Sequence, residues 1–317
     1  METISEALAQ AILGLVFSPA SRTFWPFLIG ATVVAVLSRT TGASLPLRPE
    51  QRLFSKPTWF CRSAMNDYGL VIFNALIVLL LLSPFLPDSQ ANVALLVRVF
   101  DEAIPPLATQ SQWWAPILLA ACLFVADDFI RFVVHYSEHR IPAFWELHKV
   151  HHSATVLNFL TAERQHPLSI LIFQFATGFG VLIVNTAFIL LIGDKISPTA
   201  LWGSNIFWIV TNLIGGTLRH SPVWVSFGPR IEQWLISPAQ HQIHHSDDRR
   251  HFDKNFGGSL AIWDRMFGTL YVTSSIREDI QFGLGGETPF YNSLWDLYNR
   301  PLAQILGLAR ARRGAVA

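Results

Sequence analysis

Apolar positions in this chain fall in long unbroken runs, not in the short periodic stretches of a water-soluble domain. A helix needs about 20 mostly apolar residues to cross a hydrocarbon core about 30 Å thick. Uncharged runs at 69–87, 168–193 and 199–218 meet that length and predict three spanning helices. Shorter runs at 23–38 and 112–126 predict two more, the second continuing into Asp127 and Asp128. Residues 5–18 are apolar but short and precede Pro19, which fits an interfacial or re-entrant helix. The opening Met1-Glu2-Thr3 has none of the basic residues of a signal peptide. The expected fold class is therefore all-α, an integral membrane helical bundle of four to five spans.

The polar positions orient that bundle, because Lys and Arg favour cytoplasmic loops. Segment 39–68 carries Arg39, Arg48, Arg52, Lys56 and Arg62, whereas 88–111 carries only Arg98 against Asp88, Asp101 and Glu102. Arg140, Lys149 and Arg164 follow the third span, and Arg219 follows the fifth. Segments 39–68, 135–167 and 219–317 are thus expected on the cytoplasmic side, which in a bacterium means the inner membrane. Residues 219–317 hold about half of the charges and are expected to cap the bundle there. The expected organisation is a membrane region over 1–110, a catalytic domain over 111–290 and a C-terminal tail over 291–317.

Composition supports a lipid environment. The 317 residues are 51% hydrophobic and 14% charged, against about 25% charged in soluble domains. A net charge of +1 provides no basic footprint for nucleic acid. Two cysteines cannot build a disulfide framework or a thiolate metal site.

The histidines change the picture. All 11 lie in 135–167 or 219–317, on the side chosen from Lys and Arg alone. Eight form three groups: His135 with His139, His148 with His151 and His152, and His241 with His244 and His245. Positions i, i+3 and i+4 share one helical face, so each triplet offers three imidazoles together. Eight such ligands are too many for one ion and suit two, and imidazole binds zinc, copper, iron and nickel. His220, directly after the fifth span, is either a ninth ligand or a cap on a helix C-terminus. His166 reads as a residue behind the ligands or facing substrate, and His251, in a charged run, as exposed. Asp128 lies seven residues before His135 on the same face. It either accepts an imidazole N–H or bonds elsewhere, for example to Arg131. Asp127 points toward headgroups.

These groups resemble the histidine boxes of the fatty acid hydroxylase / sterol desaturase superfamily. The flanks agree: Asp128, Trp145 and Ser153, and His220-Ser221-Pro222-Val223, which is similar to that family's His-Ser-Asn-Val. Lys254-Asn255-Phe256-Gly257 and the segment from Trp263 to Thr269 resemble its closing signature. The resemblance spans about residues 110–290. Tyr136, Gln242 and Pro222 depart from the usual pattern but leave the ligands intact. It implies two non-haem iron ions held by His135, His139, His148, His151, His152, His220, His241, His244 and His245, with O2 as co-substrate. It further implies a lipid substrate that is hydroxylated or, at the same site, desaturated. The chain has no haem, flavin or iron–sulfur motif of its own, so a separate electron donor protein is implied.

Two other readings fit less well. A zinc hydrolase would want H-E-x-x-H, and Glu138-His139 does not complete it. A metal transporter would place histidines or carboxylates mid-span, and 69–87, 168–193 and 199–218 have none. In the closing signature, Trp263, Met266 and Phe267 are expected as core packing, with Asp264 and Arg265 holding the cap together.

Overall fold

The computed structural model describes residues 4–39, 52–82, 95, 113–192, 200–201, 204–274 and 276–314. The described chain is helical apart from one antiparallel pair of two-residue strands, β1 (Ala200–Leu201) and β2 (Ser204–Asn205). The helices are α1 (Ile4–Phe17), α2 (Trp25–Arg39), α3 (Lys56–Phe60), α4 (Arg62–Ile77), α5 (Ala115–Arg140), α6 (Pro142–His152) and α7 (Pro167–Ile192). They continue with α8 (Ile206–Leu213), α9 (Pro238–His244), α10 (Ile262–Phe267) and α11 (Leu294–Gly314).

Two helical stretches are long and apolar enough to cross a membrane, Arg62–Leu82 and Pro167–Leu191. Only 22% and 17% of their most apolar windows is buried. Ile72, Phe73 and Leu81 on the first, and Phe175, Phe179 and Ile183 on the second, face outward. Covering such side chains is worth about 1.5–3 kcal/mol each, so these faces suit lipid and suggest membrane association. Of the 69–87 run, residues 83–87 lie outside the described residues.

The other expected spans come out differently. The 112–126 run becomes the first part of α5, a 26-residue helix whose second part carries Asp127, Asp128 and Arg131. Helix α2 has 15 residues, about 22 Å at 1.5 Å per residue, and packs on the 206–220 segment, whereas α1 packs on α4. The turn between α1 and α2 is held to the same segment: Trp208 Nε1 donates to Pro19 O (3.3 Å) and Thr217 Oγ1 to Arg22 O (3.0 Å). The 199–218 run is not a spanning helix. Asn205 caps α8 by accepting from Phe207 N, and Gly215, at φ +133°, ends it after eight residues. Apolar composition sustained the reading; helix start and stop signals inside the run override it.

Residues 294–314, expected as part of a tail, form α11. It packs on α6, with Leu297 and Tyr291 buried beside Val150 and Leu70.

A buried ion pair ties the bundle to the second histidine box. Arg164 Nη1 donates to Asp67 Oδ1 on α4 (2.7 Å), while its Nε donates to Val150 O on α6 (2.8 Å). Asn158 and Thr161 donate to the other Asp67 oxygen. No buried nitrogen or oxygen of the two side chains is left without a partner, the condition under which buried charge is tolerated.

Candidate metal centre

Each box sits on a helix with a built-in start. Pro142 opens α6. Ser237 and Gln240 form a reciprocal capping box around Pro238 at the start of α9. Glu232 anchors that cap from behind, accepting from Ser237 Oγ and Ser226 Oγ, both at 2.7 Å. Helix α5 ends with His139 and Arg140 in its last turn.

All nine predicted ligands meet. One group joins His135, His139, His148, His152 and His244; the other joins His151, His220, His241 and His245. Within each group one nitrogen per ring lies within 4.8 Å of all the others. His220 is thus drawn into the second group.

The outer nitrogens fix the tautomers. Nδ1 of His135 is 2.9 Å from Phe256 O, that of His244 2.8 Å from Lys254 O, and that of His151 3.3 Å from Arg164 O. A carbonyl only accepts, so these Nδ1 atoms carry the proton and each Nε2 lone pair faces inward. His148 Nδ1 lies 2.9 Å from Glu138 Oε2, a carboxylate that is fully buried. Such outer acceptors orient metal-binding imidazoles and raise their basicity.

The inward nitrogens are left wanting. His135 Nε2, His148 Nε2 and His244 Nε2 are buried without a hydrogen-bond partner. In the second group His220 Nε2 lies 3.1, 3.0 and 3.2 Å from Nε2 of His151, His241 and His245. One N–H can serve only one of these contacts, so lone pairs face lone pairs. A cation among them removes the repulsion. Metal–nitrogen bonds of about 2.0–2.1 Å place neighbouring ligand nitrogens at about this spacing. Burial first, then neighbouring rings and charges, holds His151, His152, His220, His241, His244 and His245 well below the ordinary histidine pKa. The rings are therefore neutral, the form that binds metal. Both groups fit a metal ion.

Other expected residues land elsewhere. Asp128 does not reach an imidazole. It accepts from Ser259 N (2.6 Å), Leu260 N and Trp263 Nε1 (both 3.0 Å), pinning the loop whose Phe256 O holds His135. Arg131 pairs with Asp127 instead (2.7 Å). His166 lies outside both groups but lines the cleft beside them, as one of its two readings expected: Nδ1 accepts from Leu168 N, capping α7, and Nε2 donates to Tyr298 O (3.1 Å). His251 is buried, not exposed, between Ser246 Oγ (3.0 Å) and Glu278 Oε2 (3.3 Å). Asp264 does hold the cap, accepting from Phe256 N and Gly257 N, and Arg265 lies over Trp234. Met266 and Phe267 are not core residues; they are 70% and 49% exposed.

Glu138 is a functional residue that the sequence marks only as part of an incomplete zinc motif. No motif marks the backbone acceptors. One signal was available: Asp253 and Asn255 adopt φ of +59° and +57°, a region Asp and Asn tolerate best. Those two turns direct Lys254 O and Phe256 O at the histidines. At Gly257 a Cβ would sit 2.5 Å from Leu260 O, which explains the glycine after Phe256.

A cavity of about 810 Å³ opens beside both groups, bounded by His135 and His148 of one and His151, His220 and His241 of the other.

Comparison with known proteins agrees with the boxes. Residues 120–269 match the family described as fatty acid hydroxylase. The chain is 31% identical over 164 residues to an alkylglycerol monooxygenase of Homo sapiens, covering 51% of this chain and 32% of that protein. It is 29% identical over 184 residues to an ornithine lipid hydroxylase of Rhizobium tropici, covering 55% and 50%. To methylsterol monooxygenase 1 of Danio rerio it is 27% identical over 164 residues, covering 51% and 50%. The chain thus spans about a third to a half of the length of these relatives. No solved structure matches.

Proposed function

This chain carries, over residues 120–269, a domain of the fatty acid hydroxylase / sterol desaturase superfamily, and from that premise we propose that it is a membrane-bound, iron-dependent lipid hydroxylase. The observation that carries the reading is the pair of imidazole groups with inward, unpartnered nitrogens beside a cavity lined partly by apolar residues. His135, His139, His148, His152 and His244 would hold one iron; His151, His220, His241 and His245 would hold the other. Bound there, the iron pair supplies redox chemistry with O2 that zinc, which has none, does not. One C–H bond becomes C–OH and the second oxygen atom leaves as water, with two electrons from a separate donor protein and two protons from solvent.

The chain's own residues prepare that chemistry. Glu138 and the carbonyls of Phe256, Lys254 and Arg164 keep Nδ1 protonated and Nε2 free. The Arg164–Asp67 pair fixes α6 against α4. The cavity admits a lipid from the apolar side, and the surrounding helices keep bulk water away. A bundle crossing the membrane several times, with the metal centre on the cytoplasmic side, agrees with the Lys and Arg distribution. Hydroxylation is favoured over desaturation because the relatives are named monooxygenases and a hydroxylase.

Metal analysis and product analysis test this. Detergent-purified protein should contain about two iron per chain and, with a reductase system and isotope-labelled O2, should yield a lipid that has gained one labelled oxygen. Loss of two hydrogens without oxygen gain would make it a desaturase. Stoichiometric zinc with no iron after anaerobic preparation would overturn the reading.

A further inference from the structure

The lining of the cavity is graded. On α5 it runs from Leu123 and Phe124 through Asp127 and Arg131 to His135 and Glu138, about 22 Å at 1.5 Å per residue. Its charged side chains are Arg22, Asp127, Arg131, Glu138, Glu163 and Arg219, with Asp127 the one on α5 farthest from the histidines. Beyond Asp127 the lining is uncharged and mostly apolar: Leu123, Phe124 and Val181 with the α1 residues Ala11 and Gly14, beside Asn205, whose Nδ2 donates to Ala120 O.

Most of those charges are spent on one another. Asp127 pairs with Arg131, and Glu138 sits on His148. Asp128, behind the wall, is taken up by two backbone amides and an indole. Arg22, Arg219 and Glu163 remain in the lining, and the Asp128 carboxylate behind them is close enough to act on both guanidinium groups without hydrogen-bonding either. Arg22 lies over the Trp208 ring, which Arg131 also faces, at 5.9 and 5.8 Å. Arg219 is 6% exposed, and its Nε is buried with no hydrogen-bond partner. A buried N–H left without an acceptor is costly, and an anion in the cavity beside it supplies one.

The order of the two zones sets the direction of entry. A hydrocarbon tail reaching the histidines would have to pass the charged belt and strip water from Arg22, Arg131 and Glu163 without replacing it. A headgroup in the belt satisfies them, and its tail then lies back along Leu123, Phe124 and Val181. Arg131 is one helical turn from His135, about 6 Å.

We infer that the substrate enters head-first, with a carboxylate or phosphate of its headgroup held by Arg219 and Arg22. The C–H bond oxidised then belongs to the headgroup or to the carbons next to it. The oxidation site rests on the proposed hydroxylase function and on the same balance of O2, two electrons and two protons; the binding mode does not.

The full chain in detergent is mixed with equimolar hexadecyl phosphate, palmitate and hexadecanol. After gel filtration the bound lipid is quantified by mass spectrometry. Retention of the anionic lipids should exceed that of hexadecanol at least about tenfold, the worth of a charge-assisted hydrogen bond. Retention of only one anionic lipid identifies the source as phosphate or carboxylate. Arg219→Gln and Arg22→Gln should each abolish the preference. Arg219→Lys should keep most of it, and Arg265→Gln, on the outside over Trp234, should leave it unchanged. If Arg219→Gln elutes as an aggregate, Arg22→Gln decides. Equal retention of hexadecanol, or a preference that survives Arg22→Gln, overturns the inference. With electrons supplied, fragment masses should place the new hydroxyl on the headgroup or the first carbons. A mid-chain or terminal hydroxyl overturns head-first entry and leaves the hydroxylase standing. Selective retention with no oxygenated product overturns the hydroxylase and leaves the binding mode standing.

Discussion

In the five-imidazole group, the rings of His135, His148 and His244 are each held from outside, by Phe256 O, Glu138 and Lys254 O. In the four-imidazole group, the one such tie among the described hydrogen bonds is the longer contact of His151 to Arg164 O. There the rings chiefly meet one another, Nε2 to Nε2 at 3.0–3.2 Å. The first group is oriented by the protein at three of its five rings, with one ring-to-ring contact, His139 Nε2 to His152 Nε2 at 3.2 Å. The second depends on what lies at its centre. The same residue type, buried in the same cleft, therefore gives one preorganised site and one that its metal completes.

Removing a ligand from each group is the strongest way to break that contrast. His244→Ala and His245→Ala should each lower bound iron from about two per chain to about one. Either change should reduce lipid oxidation by more than the 10–100-fold that outer partners are worth. Chelation should separate the groups further, the four-imidazole iron leaving first. Simultaneous loss of both irons in either variant would mean that the groups form one unit.

Glu138→Gln probes the support alone. A glutamine can still face His148 Nδ1 but without the charge that raises the imidazole's basicity. Iron affinity in the five-imidazole group should fall about 10–100-fold, with the other iron unchanged, as titration with a calibrated chelator would read. Equal weakening of both irons would remove the distinction between them.

How much of this was visible in the sequence follows from the range of each interaction. The boxes were legible because i, i+3 and i+4 are local, and α6 and α9 present them as that spacing requires. His220 was legible from its position after an apolar run, although the run itself is not the helix it resembled. Asn205 and the Gly215-Gly216 pair divide it, and a count of apolar residues passes over them. Asp128 was singled out, but its partners lie more than 130 positions away, so its role could not be read. His251 looked exposed because its neighbours are charged, whereas Glu278 and Ser246 bury it. The backbone carbonyls that orient imidazoles leave only an indirect trace, the Asp253 and Asn255 that tolerate the left-handed turns beside them.

Asp128 offers the finest test, because it touches one group and only at second hand. Its carboxylate receives Ser259 N, Leu260 N and Trp263 Nε1. That fixes the loop whose Phe256 O reaches His135 Nδ1. In Asp128→Asn one acceptor oxygen becomes an NH2, a donor facing donors. The loss should lower stability by about 1.5–3 kcal/mol, the worth of a hydrogen bond to a charged group, read as an earlier unfolding midpoint in denaturant. His135 would keep its place on α5 but lose its fixed tautomer, so iron in the five-imidazole group should weaken less than in Glu138→Gln. The four-imidazole group should not respond. Its third box is carried by α9, and Gln242 Nε2 donates to Ser221 O (2.9 Å), next to His220. That bond joins two of its ligand segments without involving the Asp128 loop. Unchanged stability would show that the loop holds itself, through Asp264 on Phe256 N and Gly257 N. An effect on the four-imidazole iron would show that α5 carries strain between the groups, and the contrast between a preorganised and a metal-completed site would give way to a single coupled frame.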